Sequence, residues 1–405
     1  NISVKDPEGN IRSAGRGGLG AVMAAKGVKA IVIDDAGAPG VQVLDMEAFK
    51  AAAKRLAKGL IDHPVTGQGL PTYGTNVLVN ILNEAGGLPT KNFRTGRFDG
   101  AAKISGEAMY DVITERGGKP THGCHAGCVI RCSQHYYDKD GKYKTSGFEY
   151  ETIWGFGANC LIDNLDDIAE VDYLCDDFGI DSIEMAVASG VAMDGGVIPF
   201  SDSKALVNLI KEIGLGTPLG RILGNGAGFT GKAFGVARVP VVKNQGIPAY
   251  DPRAVKGVGL TYATTPMGAD HTAGYAVATN ILKVGGFVDP LVKEGQVGLS
   301  RDLQVATAAV DTTGFCLFIA FCILDNGDAF QAVIDLLNAQ YGLTLVADDV
   351  TALGKAVLKT EREFNKRAGF TKEDDRLPEF FQEECAPHNT TWDFTDAEVD
   401  DVYNF

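Results

Sequence analysis

Residues 165–193 read LDDIAEVDYLCDDFGIDSIEMAVASGVAM, and this stretch sets the fold class. Apolar residues recur at helical spacing from Leu165 to Phe178 and again from Ser182 to Met193. Between the two runs lies DDFGIDS, residues 176–182. Gly179 suits the left-handed conformation that ends a helix. Asp181 can cap the next helix, with Glu184 closing a capping box. Helix, glycine stop and helix start is the local reading. The same geometry leaves free backbone amides beside a carboxylate. That combination can grip a polar heterocycle carrying phosphate and several N–H donors.

Outward from this stretch the chain stays largely helical from about residue 41. Helical spacing is predicted over Met46–Leu60, Ala101–Arg116, Asp202–Ile213, Leu299–Thr312, Asp328–Tyr341 and Ala347–Ala368. A second turn of the same kind, DTTGFCL at residues 311–317, follows a helix and precedes another. It carries Asp311 three residues before Gly314. The stretch Val236–Asp251, VARVPVVKNQGIPAYD, lacks helical period and carries two prolines, so a domain boundary is expected near residue 240.

The front differs. Residues 13–33 give a glycine cluster, a short helix from about Leu19 to Lys26, a stop at Gly27 and a β-branched strand over Lys29–Ile33. Gly15, Gly17 and Gly20 match G-x-G-x-x-G, but the dinucleotide fingerprint needs a strand immediately before it, and here the strand comes after. A phosphate-facing glycine turn ahead of a helix remains physically sensible. The opening NISVKDPEGNIRSAGRGGLG reads like the middle of a domain, so an upstream segment is expected to be missing. The acidic tail DAEVDDVYNF reads as a finished end.

Composition narrows the function. A chain of 405 residues can hold two or three domains, and 45% hydrophobic content is that of an ordinary globule. A net charge of −15 argues against nucleic acid, because phosphate binding needs a basic face. No run is long and apolar enough for a membrane span.

Eight cysteines are too sparse for a secreted disulfide scaffold. Cys160, Cys175, Cys322 and Cys385 read as buried structural thiols. Cys124, Cys128 and Cys132 stand together in THGCHAGCVIRCSQ, with His122 and His125 beside them, and Cys316 stands far away in VDTTGFCLF. Three clustered thiolates plus one remote thiolate can hold a cubane iron–sulfur cluster. Zinc, whose usual ligands are Cys and His, is the strongest competing metal, and structural thiols are the third reading.

The paired turns and the cysteines together resemble the tungsten-containing aldehyde ferredoxin oxidoreductases, and the similarity covers essentially the whole chain. The resemblance implies a predominantly α-helical fold with two multihelical domains, preceded by the remnant of an N-terminal α+β pterin-binding domain. Residues 1–40 would close that first domain. Residues 41–240 would carry the cysteine cluster and first turn, and residues 241–405 the histidine loop and second turn.

The resemblance also implies roles. Asp176, Gly179 and Asp181 would grip one pyranopterin, and Asp311, Gly314 and Phe315 the other; Ile180 and Phe315 stand where the family has Leu. Cys124, Cys128, Cys132 and Cys316 would hold a [4Fe–4S] cluster, although the family spacing is C-x2-C-x3-C and the first gap here is one residue longer. His122 or His125 is the substitute ligand to consider. Glu151, in GFEYETIWGFGAN, and His271, in YATTPMGADHTAGY, would handle protons beside the metal. Glu149 could take the role of Glu151, which otherwise reads as a helix-start carboxylate, and His271 otherwise reads as a core histidine. Arg16, Gly17 and Gly18 would line the cofactor's phosphate side, with magnesium between the pterin phosphates. Ala273 replaces a lysine that contacts a pterin in the family. Tyr173 replaces the histidine of an E-x-x-H site, so no bridging iron is expected at Glu170.

The implied reaction is oxidation of an aldehyde to a carboxylic acid at a tungsten or molybdenum bis-pyranopterin, with electrons leaving through the cluster. Ferredoxin or a similar iron–sulfur protein would accept them, in the cytoplasm, and a homodimer is one assembly the resemblance allows. Two other readings stay open: a superfamily reductase of aromatic acyl-CoA or other carbonyl compounds, and a zinc-stabilised helical module without catalysis.

Overall fold

Helix Leu165–Phe178 forms where its spacing predicts, with Leu165, Ile168, Ala169, Val171, Leu174 and Cys175 buried along one side. Asn164 caps its start, accepting from the amides of Asp166 and Asp167. Gly179 ends it at φ 66°, ψ 39°. The amides of Gly179 and Ile180 then return to Asp176 O at 3.1 Å and Cys175 O at 2.9 Å, the paired bonds of a left-handed helix stop. Asp181 opens helix Ser182–Asp194, accepting from Ile183 N at 2.9 Å and Glu184 N at 3.2 Å. The expected capping box does not form. Glu184 instead accepts from Ala227 N at 2.8 Å and Gly246 N at 2.6 Å. Two long-range backbone donors outcompete the single local one. Ser182–Asp194 is buried almost all round, and it packs against helix Gly226–Phe234.

The structure, a computed structural model, describes residues 1–6 and 8–405. Helices Met46–Asp62, Gly106–Glu115, Ser203–Leu215, Gln296–Thr312, Gly327–Tyr341 and Ala347–Arg367 match the predicted runs to within a few residues at most ends. The main difference is at residues 101–105. There a 3-10 turn, Ala101–Ile104, precedes the α-helix, because the Ser105 hydroxyl caps Ala108 N. Helix Met46–Asp62 packs on Gly327–Tyr341, and Arg55 on the first spans Asp328 and Asp335 on the second. Gln296–Thr312 packs on Ala347–Arg367, where a Cβ on Gly354 would lie 2.0 Å from Val305 O, so only glycine allows that approach.

One hydrophobic cluster runs from Leu78 to Val402, centred on residues such as Trp154, Phe156 and Tyr262. A second joins Leu56 and Leu60 to Val310, Ile319 and Leu336. Each fully buried Leu-sized side chain contributes roughly 1.5–3 kcal/mol by leaving water. The described residues are mainly helical, as the fold class predicted, with a few small sheets. Strands Ser3–Lys5 and Ile11–Ser13 form an antiparallel hairpin. Strands Lys119–His122, Ser133–Tyr137 and Tyr143–Ser146 form a three-stranded antiparallel sheet, and the cysteine trio lies in the loop between the first two.

The strand predicted over residues 29–33 is not formed. The segment is unpaired, and Ile31, Val32 and Ile33 are 72%, 90% and 85% exposed. A β-branched run needs a neighbouring strand to become sheet, and none of the described residues supplies one. Helix Leu19–Ala25 forms before it.

Candidate active site

Both turns and the segments carrying Glu151 and His271 contribute to one cavity of ≈ 670 Å³. Its polar wall includes Arg12, Arg16, Glu151, Asp176, Asp181 and His271. Its apolar wall includes Leu303, Leu317, Phe318 and Phe321.

Glu151 lies in the first turn of helix Tyr150–Phe156, which is buried throughout. Its Oε2 accepts from Ala249 N at 3.0 Å. Its Oε1 sits 3.1 Å from His271 Nε2, but the two are not aligned for a hydrogen bond, and both Glu151 Oε1 and His271 Nδ1 are buried without a partner. Burial pushes the Glu151 carboxyl up, and the His271 imidazole opposes that rise. A carboxylate with a raised pKa and a free oxygen, next to an imidazole, is equipped to take and return a proton. Glu149 is also buried and raised by burial, but Thr75 Oγ1 donates to it at 2.5 Å.

Around this pair stand aromatic rings that the sequence reading did not single out. Tyr250 and Tyr275 hydrogen-bond hydroxyl to hydroxyl at 2.8 Å. The Tyr250 ring lies 5.7 Å from His271, and Tyr275 lies 5.9 Å from Phe321. Tyr275 was within reach of sequence reasoning, since it closes the histidine loop four residues after His271. Arg12 was also missed. It lines the cavity, its Nη2 donates to Ser133 Oγ at 3.0 Å, and its Nε is buried without a partner. Its charge lowers Asp176 and Asp172 against the larger effect of burial, which pushes Asp176 up to about 6 and Asp172 well above the carboxylate range.

Arg16 is buried and held by protein: Nε donates to Asp181 Oδ2 at 2.7 Å, Nη1 to Ala269 O at 3.1 Å and Nη2 to Gly246 O at 3.2 Å. Gly17 and Gly18 are exposed and do not reach the wall, whereas Gly15 does. The first turn contributes Asp176 and Asp181 to the cavity. From the second turn the wall takes Leu317, while Asp311 and Gly314 are exposed and Phe315 packs with the second hydrophobic cluster.

Cys124, His125 and Cys128 offer ligand atoms within 4.8 Å of one another. Cys128 and Cys132 pack against the same apolar cluster as Phe315 and Phe318, so the trio and the second turn adjoin. Burial pushes the Cys132 thiol up, and the charges of Glu149, Cys316, Cys124 and Cys128 push it further. All eight cysteines are free thiols; Cys160, Cys175, Cys322 and Cys385 are buried.

A family model described as aldehyde ferredoxin oxidoreductase, domains 2 and 3, matches residues 51–404. The chain belongs to the aldehyde ferredoxin oxidoreductase family. The tungsten-containing aldehyde ferredoxin oxidoreductase of Pyrococcus furiosus is 35% identical over 395 residues, covering 93% of this chain and 63% of the relative. That of Thermococcus kodakarensis is 35% identical over 397 residues, with 93% and 63% covered. The chain therefore spans less than two thirds of the length of these curated relatives. The solved active site complex BamBC of benzoyl coenzyme A reductase, in complex with 1,5-dienoyl-CoA, has TM-score 0.68 at 15% identity, covering 97% of this chain and 67% of that chain. That likeness shows the fold alone, and it agrees with the multihelical family architecture. Among the described residues, no helix is long and apolar enough to cross a membrane.

Proposed function

We propose that this chain carries the substrate pocket and cluster loop of an oxidoreductase that converts an aldehyde and water to a carboxylic acid, two protons and two electrons. The observation that carries this reading is the pairing of Glu151 and His271 on the wall of a cavity that also holds Arg12, Asp176 and Asp181. The residues fit the groups that the family implies. Arg12 Nε, Glu151 Oε1 and His271 Nδ1 are buried polar atoms without protein partners, two acidic side chains of the first turn stand beside them, and the free thiols of Cys124 and Cys132 lie within charge reach of Glu149 on the same wall. Asp176 and Asp181 would hold a tungsten or molybdenum bis-pyranopterin, with magnesium between its phosphates, and Cys124, Cys128, Cys132 and Cys316 a [4Fe–4S] cluster. When bound, the pterin metal supplies two-electron chemistry at the carbonyl, and the cluster passes electrons on singly to ferredoxin or a similar acceptor. Such thiolates call for a reducing compartment, the cytoplasm in this reading.

The protein's part is position and proton handling. Glu151 Oε1 takes a proton from the attacking water. His271 Nε2, 3.1 Å away, stabilises the carboxylate and returns the proton to solvent. The Tyr275 hydroxyl, held by Tyr250, can donate to the carbonyl oxygen as negative charge develops there. Phe318, Phe321 and Leu317 exclude bulk water from the reacting carbon.

The test is dye-linked aldehyde oxidation by anaerobically purified protein, with metals quantified in the same sample. Glu151→Gln is expected to lower kcat by at least about 100-fold, as loss of a general base does, with metal content unchanged. Full turnover by that variant would sink the role of Glu151. Acyl-CoA reduction without aldehyde oxidation would move the chain to the superfamily reductase reading, and zinc without iron would end the redox reading.

A further inference from the structure

A second constellation of metal-ligating groups lies at the base of the cysteine loop, outside the cavity. Strands Lys119–His122 and Ser133–Tyr137 pair antiparallel, with His122 opposite Ser133 and Lys119 opposite His135. Two residues lie between the partners on one strand and one on the other, so a bulge intervenes. Because side chains alternate along a strand, His135 shares a face with Ser133, and the bulge leaves His122 on that face as its diagonal neighbour. The two imidazole rings accordingly lie 4.2 Å apart, tilted by 38°. Glu8, between the strands of the front hairpin, reaches the same point. Its Oε2 is 3.4 Å from His122 Nε2.

Each of Glu8, His122 and His135 offers one ligand atom, and all three atoms lie within 4.8 Å of one another. In a tetrahedral shell with bonds of about 2.0–2.2 Å, neighbouring ligand atoms sit about 3.4 Å apart. The Glu8–His122 spacing of 3.4 Å already meets that, so only His135 must close in. Burial points the same way. His135 is 5% exposed, and its Nε2 is buried without a hydrogen-bond partner. Buried imidazole nitrogens normally find a partner, and this orphan beside the Glu8–His122 pair calls for one. Lys119 Nζ lies 3.6 Å from Glu8 Oε2 but is 55% exposed, so it can swing into water when a cation arrives. Arg12, on the hairpin's second strand, is tied through Nη2 to Ser133 Oγ.

We infer that Glu8, His122 and His135 form a site for one divalent transition-metal ion of the zinc or ferrous type, with a fourth position left for water. Two imidazoles and one carboxylate are a ligand set suited to those ions, and too nitrogen-rich for magnesium or calcium. The site joins the hairpin to both strands that bracket the cysteine loop, so metal there fixes the loop's two ends. This inference does not depend on the reaction proposed above.

The test is anaerobic titration of the full chain with Co2+, in a background carrying Cys124→Ser, Cys128→Ser, Cys132→Ser and Cys316→Ser, which removes the competing thiolates. The expected result is one equivalent bound, with visible d–d bands and no sulfur-to-metal charge-transfer band. Glu8→Gln in the same background should weaken binding by more than the about 10–100-fold that even an outer-shell partner is worth. The Glu8 side chain is 58% exposed, so this variant leaves the fold intact and decides the matter even if His135→Gln does not fold. Failure to bind cobalt, or equal affinity with and without Glu8→Gln, would overturn the site and leave an ordinary Glu8–His122 ion pair.

Discussion

Arg16 and Asp181 show what a single pair can fix. Asp181 accepts two amides through one oxygen as the cap of helix Ser182–Asp194, and holds buried Arg16 through the other. Asp181→Asn keeps a capping oxygen but loses the charge, whereas Asp181→Ala loses both. Removing one partner of a buried pair costs about 3–5 kcal/mol, and loss of the cap about 1 kcal/mol more. Glu184 Oε2, 3.4 Å from Arg16, softens the first cost in both variants. Urea denaturation should therefore rank wild type above Asn above Ala, and equal stability of the two variants would remove the cap from the account. The cap was legible in the sequence, because its geometry is local. The ties of Arg16 to Ala269 O and Gly246 O were not, because nothing local announces a partner more than 200 residues away.

Asp176 gives a pH prediction of defined sign. Burial lifts it from its ordinary 3.8 to about 6. Between those values the folded chain binds more protons than the unfolded chain, so stability falls as pH rises through that window. In cofactor-free protein, Asp176→Asn should flatten this part of the stability–pH curve. An unchanged slope would show that other groups set it.

At the scale of elements, two glycines separate backbone strain from packing. A Cβ on Gly179 would meet nothing nearer than Ser3 Oγ at 4.0 Å, so Gly179→Ala should cost only the roughly 1–2 kcal/mol of a left-handed L-residue. At Gly354 the added methyl meets Val305 O at 2.0 Å, and Gly354→Ala must push helix Ala347–Arg367 off Gln296–Thr312, at about 1–3 kcal/mol. Chemical denaturation checks both, and a cooperative melt with lowered helix content in Gly354→Ala would mark displacement. The helices were legible because their apolar period persists for three or more turns. The sheet around the cysteine loop went unread, although QHYYDKDGKYKTS, residues 134–146, carries a hairpin turn in DKDG. Its strands have four or five residues each, too few for a period to stand out.

At the scale of the whole molecule, the cavity draws its wall from residues as far apart as Ile11 and Leu324. Periodicity and spacing cannot predict such convergence. Glu151, His271 and the turn aspartates were marked through resemblance, whereas Arg12 and Tyr250 carry no local motif and emerged only from packing. The unpaired run Ile31–Val32–Ile33 acts at this scale too. A bare, unpaired segment with β-branched side chains offers its amides and carbonyls as a template for another strand. Concentrated preparations of the 405-residue chain should therefore gather into oligomers seeded at this edge. Val32→Lys should suppress them, and sedimentation over a concentration series would register the difference, while identical profiles would clear the segment. The residues that make this stretch a good strand also make it an adhesive margin of the chain.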